Sequence, residues 1–287
     1  MDVQVNPESV IEASIENDDL LELVDIIHKT CGVDFSGYAP ESLKRRFTRL
    51  MARRKCKTSY DLKYELINGT IGRTEAINEI TVNVTDLFRD PPMFHALVQH
   101  VFPYLESFPK FRVWHAGCSS GQETYALAIL FKEHGLLEKS LQYGTDINTE
   151  VLEEAREGVY PISDLRQYSI NYQQAGGNFS LSDYYTAKYG MVKMNASLKR
   201  NMLFSSHDLA KNASFNEFQL IVCRNVLIYF DKVLKEKVLQ LLVDSMAPFA
   251  YLVLGDKESI SFSSVMERLE VINARERIYR KKGIVAA

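Results

Sequence analysis

The chain has little cysteine and no cysteine pattern. Its four thiols, Cys31, Cys56, Cys118 and Cys223, form no C-x-x-C pair. That scatter excludes a disulfide framework and a set of zinc ligands, and it reads as reduced thiols of a cytosolic protein. No metal site is expected. Long apolar runs are also missing. Stretches such as 246–254 fall far short of a membrane span, so no membrane insertion is expected. The start, M-D-V-Q-V-N-P-E-S, is acidic and polar and gives no secretory signal. No large excess of one charge is present. A net charge of −3 does not suggest a general nucleic-acid binder. What remains is an ordinary soluble composition, 46% hydrophobic and 25% charged, with room in 287 residues for one large domain or two smaller ones. There is no internal repeat and no low-complexity tract.

Residues 1 to about 90 read as helical, without a convincing strand. Apolar residues recur at helical spacing through Leu20, Leu21, Val24 and Ile27. Further helices are expected over 40–57, 59–67 and 74–84, and another after the Pro91-Pro92 break to about Leu105. From Phe111 the character changes. Strands are expected near 111–116, 141–145, 218–223 and 249–254, and helices near 122–134, 149–157 and 232–246. Such alternation predicts an α/β fold with a mostly parallel sheet and right-handed crossovers. The stretch 270–281 reads as a closing strand. Between Tyr160 and Asp208 the alternation fails. That stretch holds Gly176-Gly177, several tyrosines and two β-like runs, 189–194 and 201–205, and is too long for a loop. It is expected to be a small inserted β-subdomain, about 165–206. The expected domains are therefore 1–90, all helical, and 91–287, α/β with the insert.

The most informative run is F-R-V-W-H-A-G-C-S-S-G-Q-E-T-Y, 111–125. It reads as a buried strand, a glycine loop and a helix start, a turn that lets a cofactor lie against bare backbone. Farther on, L-Q-Y-G-T-D ends a second strand in Asp146, the place where such domains hold a ribose hydroxyl pair. Which nucleoside cofactor this is depends on what the loop lacks. Hydride-transfer enzymes carry G-x-G-x-x-G, and only Gly117 and Gly121 are present here. No G-K-[ST] follows to cradle phosphates. A glycine loop without a phosphate motif suits S-adenosylmethionine, with Glu123 placed to accept from cationic or hydroxyl groups. The competing reading is a plain strand-to-helix turn with a solvated Glu123.

Two other clusters stand out. I-V-C-R-N-V-L-I-Y-F, 221–230, is an apolar strand ending in Arg224 and Asn225. Strand C-termini face the ligand crevice in open α/β sheets. Arg224 and Asn225 are therefore candidates for the cofactor and Tyr229 for the reacting centre, with Phe230 in the core. N-V-T-D-L-F-R-D, 83–90, places Asn83, Thr85 and Arg89 just before Pro91, outside the expected sheet domain. Taken alone, this cluster also fits a capped helix end.

Together these stretches resemble the CheR family, the chemotaxis-receptor glutamate methyltransferases. The matching runs are N-V-T-D-L-F-R-D, W-H-A-G-C-S-S-G-Q-E-T-Y-A-L-A, Y-G-T-D-I-N and C-R-N-V-L-I-Y-F-D, in the family's order. The resemblance implies a class I methyltransferase sheet, Rossmann-like, with an all-helical N-terminal domain. It implies S-adenosylmethionine as donor, S-adenosylhomocysteine as product, and a receptor glutamate as acceptor. It places cofactor contacts on Asn83, Thr85, Arg89, Gly117, Glu123, Asp146, Asp208, Leu209, Arg224 and Asn225. Arg89 and Tyr229 match the positions nearest the transferred methyl. A glutamate is already ionised at neutral pH, with a reference pKa of about 4.3, so no general base is required.

Between Leu43 and Lys57 lie Lys44, Arg45, Arg46, Arg49, Arg53, Arg54, Lys55 and Lys57, with no acid. Arg45, Arg49 and Arg53 are four apart and share a face. Nucleic acid is the generic partner of such a face. The resemblance instead implies a docking surface for acidic methylation helices of receptors, through Arg45, Arg46, Arg49 and Arg53. The expectation is a cytoplasmic monomer that does not bind nucleic acid. The insert, A-G-G-N-F-S-L-S-D-Y-Y-T-A-K-Y-G, lacks the R-G-x-G-type loop with which some relatives grip a receptor tether, which implies a tether-independent member. A second departure is G-D-K-E-S-I at 255–260, where better-known relatives have G-H-S-E. The alternatives are a scaffold of the same fold with another acceptor, and a nucleic-acid methyltransferase using the basic helix.

Overall fold

Apolar spacing decides where the first helices form. The computed structural model describes residues 15–283; the polar start, on which the reading of no leader rests, lies outside the described residues. The chain divides into two compact units, Met1–Val82 and Asn83–Ala287.

The first unit is built from helices α1 (Asn17–Cys31), α2 (Pro40–Arg54), α3 (Ser59–Ile67) and α4 (Arg73–Ile80). In α1 the buried residues Leu20, Leu23, Val24, Ile27 and Cys31 follow the helical period. α2 buries Leu43, Phe47, Leu50 and Met51. Pro40 opens α2, where its missing N–H costs nothing. A capping box of Thr58 and Asp61 starts α3. Lys63 of α3 is buried and donates to Asp19 at 2.6 Å and to Glu22, tying α3 to α1. Two of the α2 cations meet acids from other helices. Arg53 pairs with Glu79, and Arg54 with Glu65 at 2.8 Å and Glu75 at 3.5 Å. The acids that the run 43–57 lacks are supplied by α3 and α4.

The second unit continues with α5 (Pro91–His100), α6 (Phe102–Glu106), β1 (Phe111–Ala116), α7 (Gln122–Glu133), β2 (Ser140–Asp146), α8 (Thr149–Glu157), β3 (Val159–Pro161), α9 (Leu165–Gln174), β4 (Tyr185–Lys188), β5 (Met191–Met194), α10 (Ala196–Lys199), β6 (Met202–Ser206), β7 (Phe218–Cys223), α11 (Lys232–Asp244), β8 (Met246–Leu254), β9 (Leu269–Asn273) and β10 (Ile278–Lys281). The main sheet has the order β6-β2-β1-β7-β8-β10-β9. Pairs β1–β2, β1–β7, β2–β6 and β7–β8 are parallel. The last two strands form an antiparallel hairpin against β8. The strand order reverses between β1 and β7, which opens a crevice at the carboxyl ends of those strands. α7 is buried nearly all round, from Thr124 to Phe131, so it reads as apolar rather than amphipathic. Trp114 of β1 stacks on Phe218 of β7 at 5.3 Å and donates to Thr145 of β2 at 2.8 Å.

Four expectations change. The run 201–205 is not part of the insert: β6 pairs with β2 and forms the edge of the main sheet. The insert's own sheet has the order β3-β5-β4, and so spans 159–194 rather than 165–206. Its chain leaves and returns at one spot, where Met194 N–H donates to the Gly158 carbonyl at 2.8 Å. Glu133 of α7 anchors it, accepting from Tyr184 at 2.9 Å, from Asn178 N–H at 3.0 Å and from Tyr172. The stretch 270–281 is two strands and a turn, not one strand. Asn83, Thr85 and Arg89, placed outside the sheet domain by the sequence, belong to the sheet's unit.

Candidate functional site

Because β1, β2, β6, β7 and β8 run parallel, their carboxyl ends share one edge. Gly117 follows β1, Asp146 ends β2, Asp208 and Leu209 follow β6, and Arg224 and Asn225 follow β7. The glycine loop is shaped by need. Gly117 holds φ +75°, and a Cβ there would run into the Val226 side chain. Gly121 holds φ +85° and starts α7 against Ala155, whose Cβ an added methyl would meet at 2.9 Å. Gly117 and Cys118 donate their N–H groups to the Thr145 carbonyl at 2.8 and 2.9 Å, locking the loop to β2.

Asp146 accepts from Ser119 N–H at 2.9 Å and from Asn148 N–H at 3.0 Å, one bond to each oxygen. Each oxygen keeps a lone pair for a further donor. Burial pushes the Asp146 carboxyl up, with the Asn148 and Ser119 N–H bonds opposing it.

Glu123 is not solvated. Arg224 donates to it at 2.8 Å and to Asp90 at 2.5 Å, and also to the Arg89 carbonyl at 3.3 Å. The Arg224 side chain is 3% exposed. His115 of β1 is buried, bonded to Gln142 at 3.0 Å, with Nδ1 3.9 Å from Glu123. Burial alone would raise the Glu123 carboxyl, but the His115 ring and the Arg224 guanidinium outweigh it and hold it below the usual range. A polar chain thus runs from β2 through β1 and α7 to β7 and Asp90. It spends the Arg224 charge on two acids, so Arg224 braces the edge.

Arg89 sits between two strained residues. Phe88 and Asp90 both hold positive φ, 58° and 57°. Phe88 is fully buried against Phe94 and Tyr172, which over-determines the turn. Arg89 itself is half-buried and donates to the Val84 carbonyl at 3.2 Å. Asn83 and Thr85 are half-buried in the same segment. Tyr229 is half-buried at the end of the short 3-10 turn Leu227–Tyr229, and Phe230 is buried. Burial pushes the Cys118 and Cys223 thiols well up, so neither supplies a thiolate at this edge.

Comparison with known proteins decides the family. A family model described as the CheR methyltransferase SAM-binding domain matches residues 83–278, and one described as the CheR methyltransferase all-alpha domain matches 18–81. The chain belongs to the CheR methyltransferase family. A Pseudomonas putida chain, Cher3, is 40% identical over 259 residues, 90% of this chain and 95% of that one. A chemotaxis protein methyltransferase of Borreliella burgdorferi is 30% identical, over 90% of this chain and 93% of its own length. Among solved structures, the N-methyltransferase NodS of Bradyrhizobium japonicum WM9, bound to S-adenosylhomocysteine, matches at 12% identity and TM-score 0.38, over 81% of this chain and 97% of that one.

The sheet of this CheR member is the class I methyltransferase sheet, and S-adenosylmethionine is its cofactor. The residues present fit that group. Asp146 offers two acceptor oxygens, the loop offers glycine backbone, and two buried polar atoms without a hydrogen-bond partner lie along this edge, Ser119 Oγ and Arg224 Nε. Sequence reasoning missed Asp90, His115 and Glu258. Asp90 could have been found as the acid beside Arg89 before two prolines. His115 reads in sequence as one more strand residue, and Glu258 stood in a run noted only for its departures.

The basic face of α2 lies in the other unit. Arg45 and Arg49 are exposed, Arg46 is half-buried, and Arg53 is already paired with Glu79.

Proposed function

We propose that this CheR member is a cytoplasmic, monomeric enzyme that forms methyl esters on glutamate side chains in the acidic methylation helices of chemoreceptors. The observation that carries the reading is a cofactor edge joined in one chain to a helix whose arginines Arg45 and Arg49 point outward. Relatives named chemotaxis protein methyltransferase support it. No helix among the described residues is long and apolar enough to cross a membrane, which fits an enzyme that visits its receptor.

Bound S-adenosylmethionine supplies a methyl on a sulfonium, and its transfer to a carboxylate oxygen leaves a neutral ester and a neutral thioether with no proton moved. The protein's task is therefore alignment and exclusion of water. Asp146 holds the ribose hydroxyls. Asn83, Thr85, Arg89, Asp208, Leu209 and Asn225 complete the cofactor's surroundings, while Arg224 fixes Glu123. Arg89 and the Tyr229 hydroxyl hold the acceptor carboxylate in line. Arg45, Arg46, Arg49 and Arg53 form the docking face, with Arg53 shared with Glu79.

The test is transfer of labelled methyl to receptor-containing membranes, with release of the label as methanol in base. Tyr229→Phe and Arg89→Ala are expected to lower turnover. A base-stable label would overturn the ester, and wild-type turnover in Tyr229→Phe would remove the hydroxyl from the reaction.

A further inference from the structure

One carboxylate at this edge has no part in the reaction just described. Glu258 lies four residues beyond the end of β8 and is fully buried, at 0% exposure. Its Oε1 accepts from Val226 N–H at 2.8 Å and Leu227 N–H at 2.7 Å. Its Oε2 accepts from Asn225 N–H at 3.0 Å and Gly255 N–H at 2.6 Å. No cationic side chain is bonded to it among the described residues. A buried carboxylate is costly unless its lone pairs are met, and here backbone N–H groups alone meet them. Burial raises the Glu258 carboxyl, and the four N–H bonds oppose that. A protonated carboxyl would aim its O–H into a ring of donors, so the bonded geometry is that of the anion.

The donors explain what the anion is for. Three successive N–H groups, 225 to 227, point at one carboxylate, the arrangement of an anion-binding nest. It places Asn225 at φ +61°, a left-handed setting that asparagine tolerates better than most residues other than glycine. Asn225 suits the left-handed φ by itself, but the convergence of three N–H groups on one point is unfavourable without an anion to accept them. Gly255 is part of the fit: a Cβ there would meet Glu258 Oε2 at 2.8 Å and Asn225 N at 3.0 Å. On the opposite side, Val226 closes against Gly117. The turn held between them carries Arg224, Asn225 and Tyr229.

We infer that Glu258 is a positioning residue for methyl transfer: its carboxylate shapes the 225–229 turn and thereby aims the Tyr229 hydroxyl at the acceptor. The inference rests on the methyl-ester reading above. It differs from a purely structural role in what it predicts for turnover per folded site.

Glu258→Gln keeps the shape of the side chain but presents an NH2 group to donors that need an acceptor, so it retains at most one side of the nest. Glu258→Asp keeps the charge. For wild type and both variants, S-adenosylhomocysteine stoichiometry counts competent sites, labelled methyl transfer gives kcat and receptor KM, and amide exchange reports the turn. In Glu258→Gln the expected result is full stoichiometry, kcat per site lowered roughly tenfold or more, and receptor KM within about twofold of wild type. Exchange should quicken at Asn225, Val226 and Leu227, and Glu258→Asp should recover part of both losses. Unchanged kcat per site, or unchanged exchange at those amides, overturns the inference. So does a folded Glu258→Gln that no longer binds S-adenosylhomocysteine, which would show that the turn acts on the cofactor through Asn225 and not on the acceptor through Tyr229. Should the Gln variant not fold, the Asp variant decides by the same readouts. Absence of any base-labile methyl with wild type would sink the ester reading instead, and the exchange measurement would still decide whether Glu258 shapes the turn.

Discussion

Replacing Gly117 by alanine strikes the loop on which the cofactor edge depends. Gly117 holds φ +75°, where an L side chain costs about 1–2 kcal/mol. The added methyl is also driven into Val226, and overpacking of that kind costs about 1–3 kcal/mol. Val226 has little room to yield, because it is β-branched and its N–H is held by Glu258 at 2.8 Å. The sum is about 2–5 kcal/mol, and for a unit of this size that lowers Tm by about 4–20 °C. Thermal unfolding followed by circular dichroism measures it. The Val226→Ala background separates the two costs, since there the collision is gone and only the backbone strain, about 1–2 kcal/mol, remains. A fall below about 1 °C would refute both costs. An equal fall in both backgrounds would refute the close approach of Gly117 to Val226.

Arg224→Met should lower stability by about 2–4 kcal/mol in urea unfolding, because it strands the half-buried Glu123 without its cation; adding Glu123→Gln should recover part, and an unchanged midpoint would make the brace idle. Asp146 gives a pH test. Hydroxyl donors need its ionised form and burial raises its carboxyl, so S-adenosylhomocysteine affinity should fall with pH earlier than an ordinary Asp near about 3.9 would allow. The same shift makes the unliganded protein lose stability as pH rises from that ordinary value through the raised one. Asp146→Asn should bind weakly at every pH without that fall, and a fall that persists assigns the titration elsewhere. Arg45→Glu with Arg49→Glu should raise receptor KM roughly tenfold and leave S-adenosylhomocysteine affinity unchanged; an unmoved KM would place docking on another surface.

Local pattern carried much of this structure. Strands β1 and β7 and helices α3 and α8 have the bounds that periodicity predicts, because their apolar residues and caps are contiguous in sequence. β6 was misassigned to the insert because strand pairing is a long-range choice: Met202–Ser206 looks the same whether its partner is β5 or β2. The hairpin β9–β10 was merged into one strand because its turn, 274–277, contains neither glycine nor proline to announce it. At the site, Asp146 was legible as a strand-end acid. The partnership of Glu123, Arg224 and Asp90 was not, since it joins residues more than 100 positions apart. The pairing within the basic run 43–57 was equally hidden. Arg53 and Arg54 find their acids in Glu65, Glu75 and Glu79, which only folding brings near.

The hydrogen bond from Met194 to Gly158 closes the inserted sheet at its base. Two chain ends held this close can accept a different segment between them at little entropic cost, since the loop is already shut. The β-subdomain is therefore a graft point. Inheritance can lengthen, shorten or exchange it while β6 still meets β2 and Asp146 still ends its strand. What the insert recognises and what the sheet edge catalyses can thus diverge at separate rates within one chain.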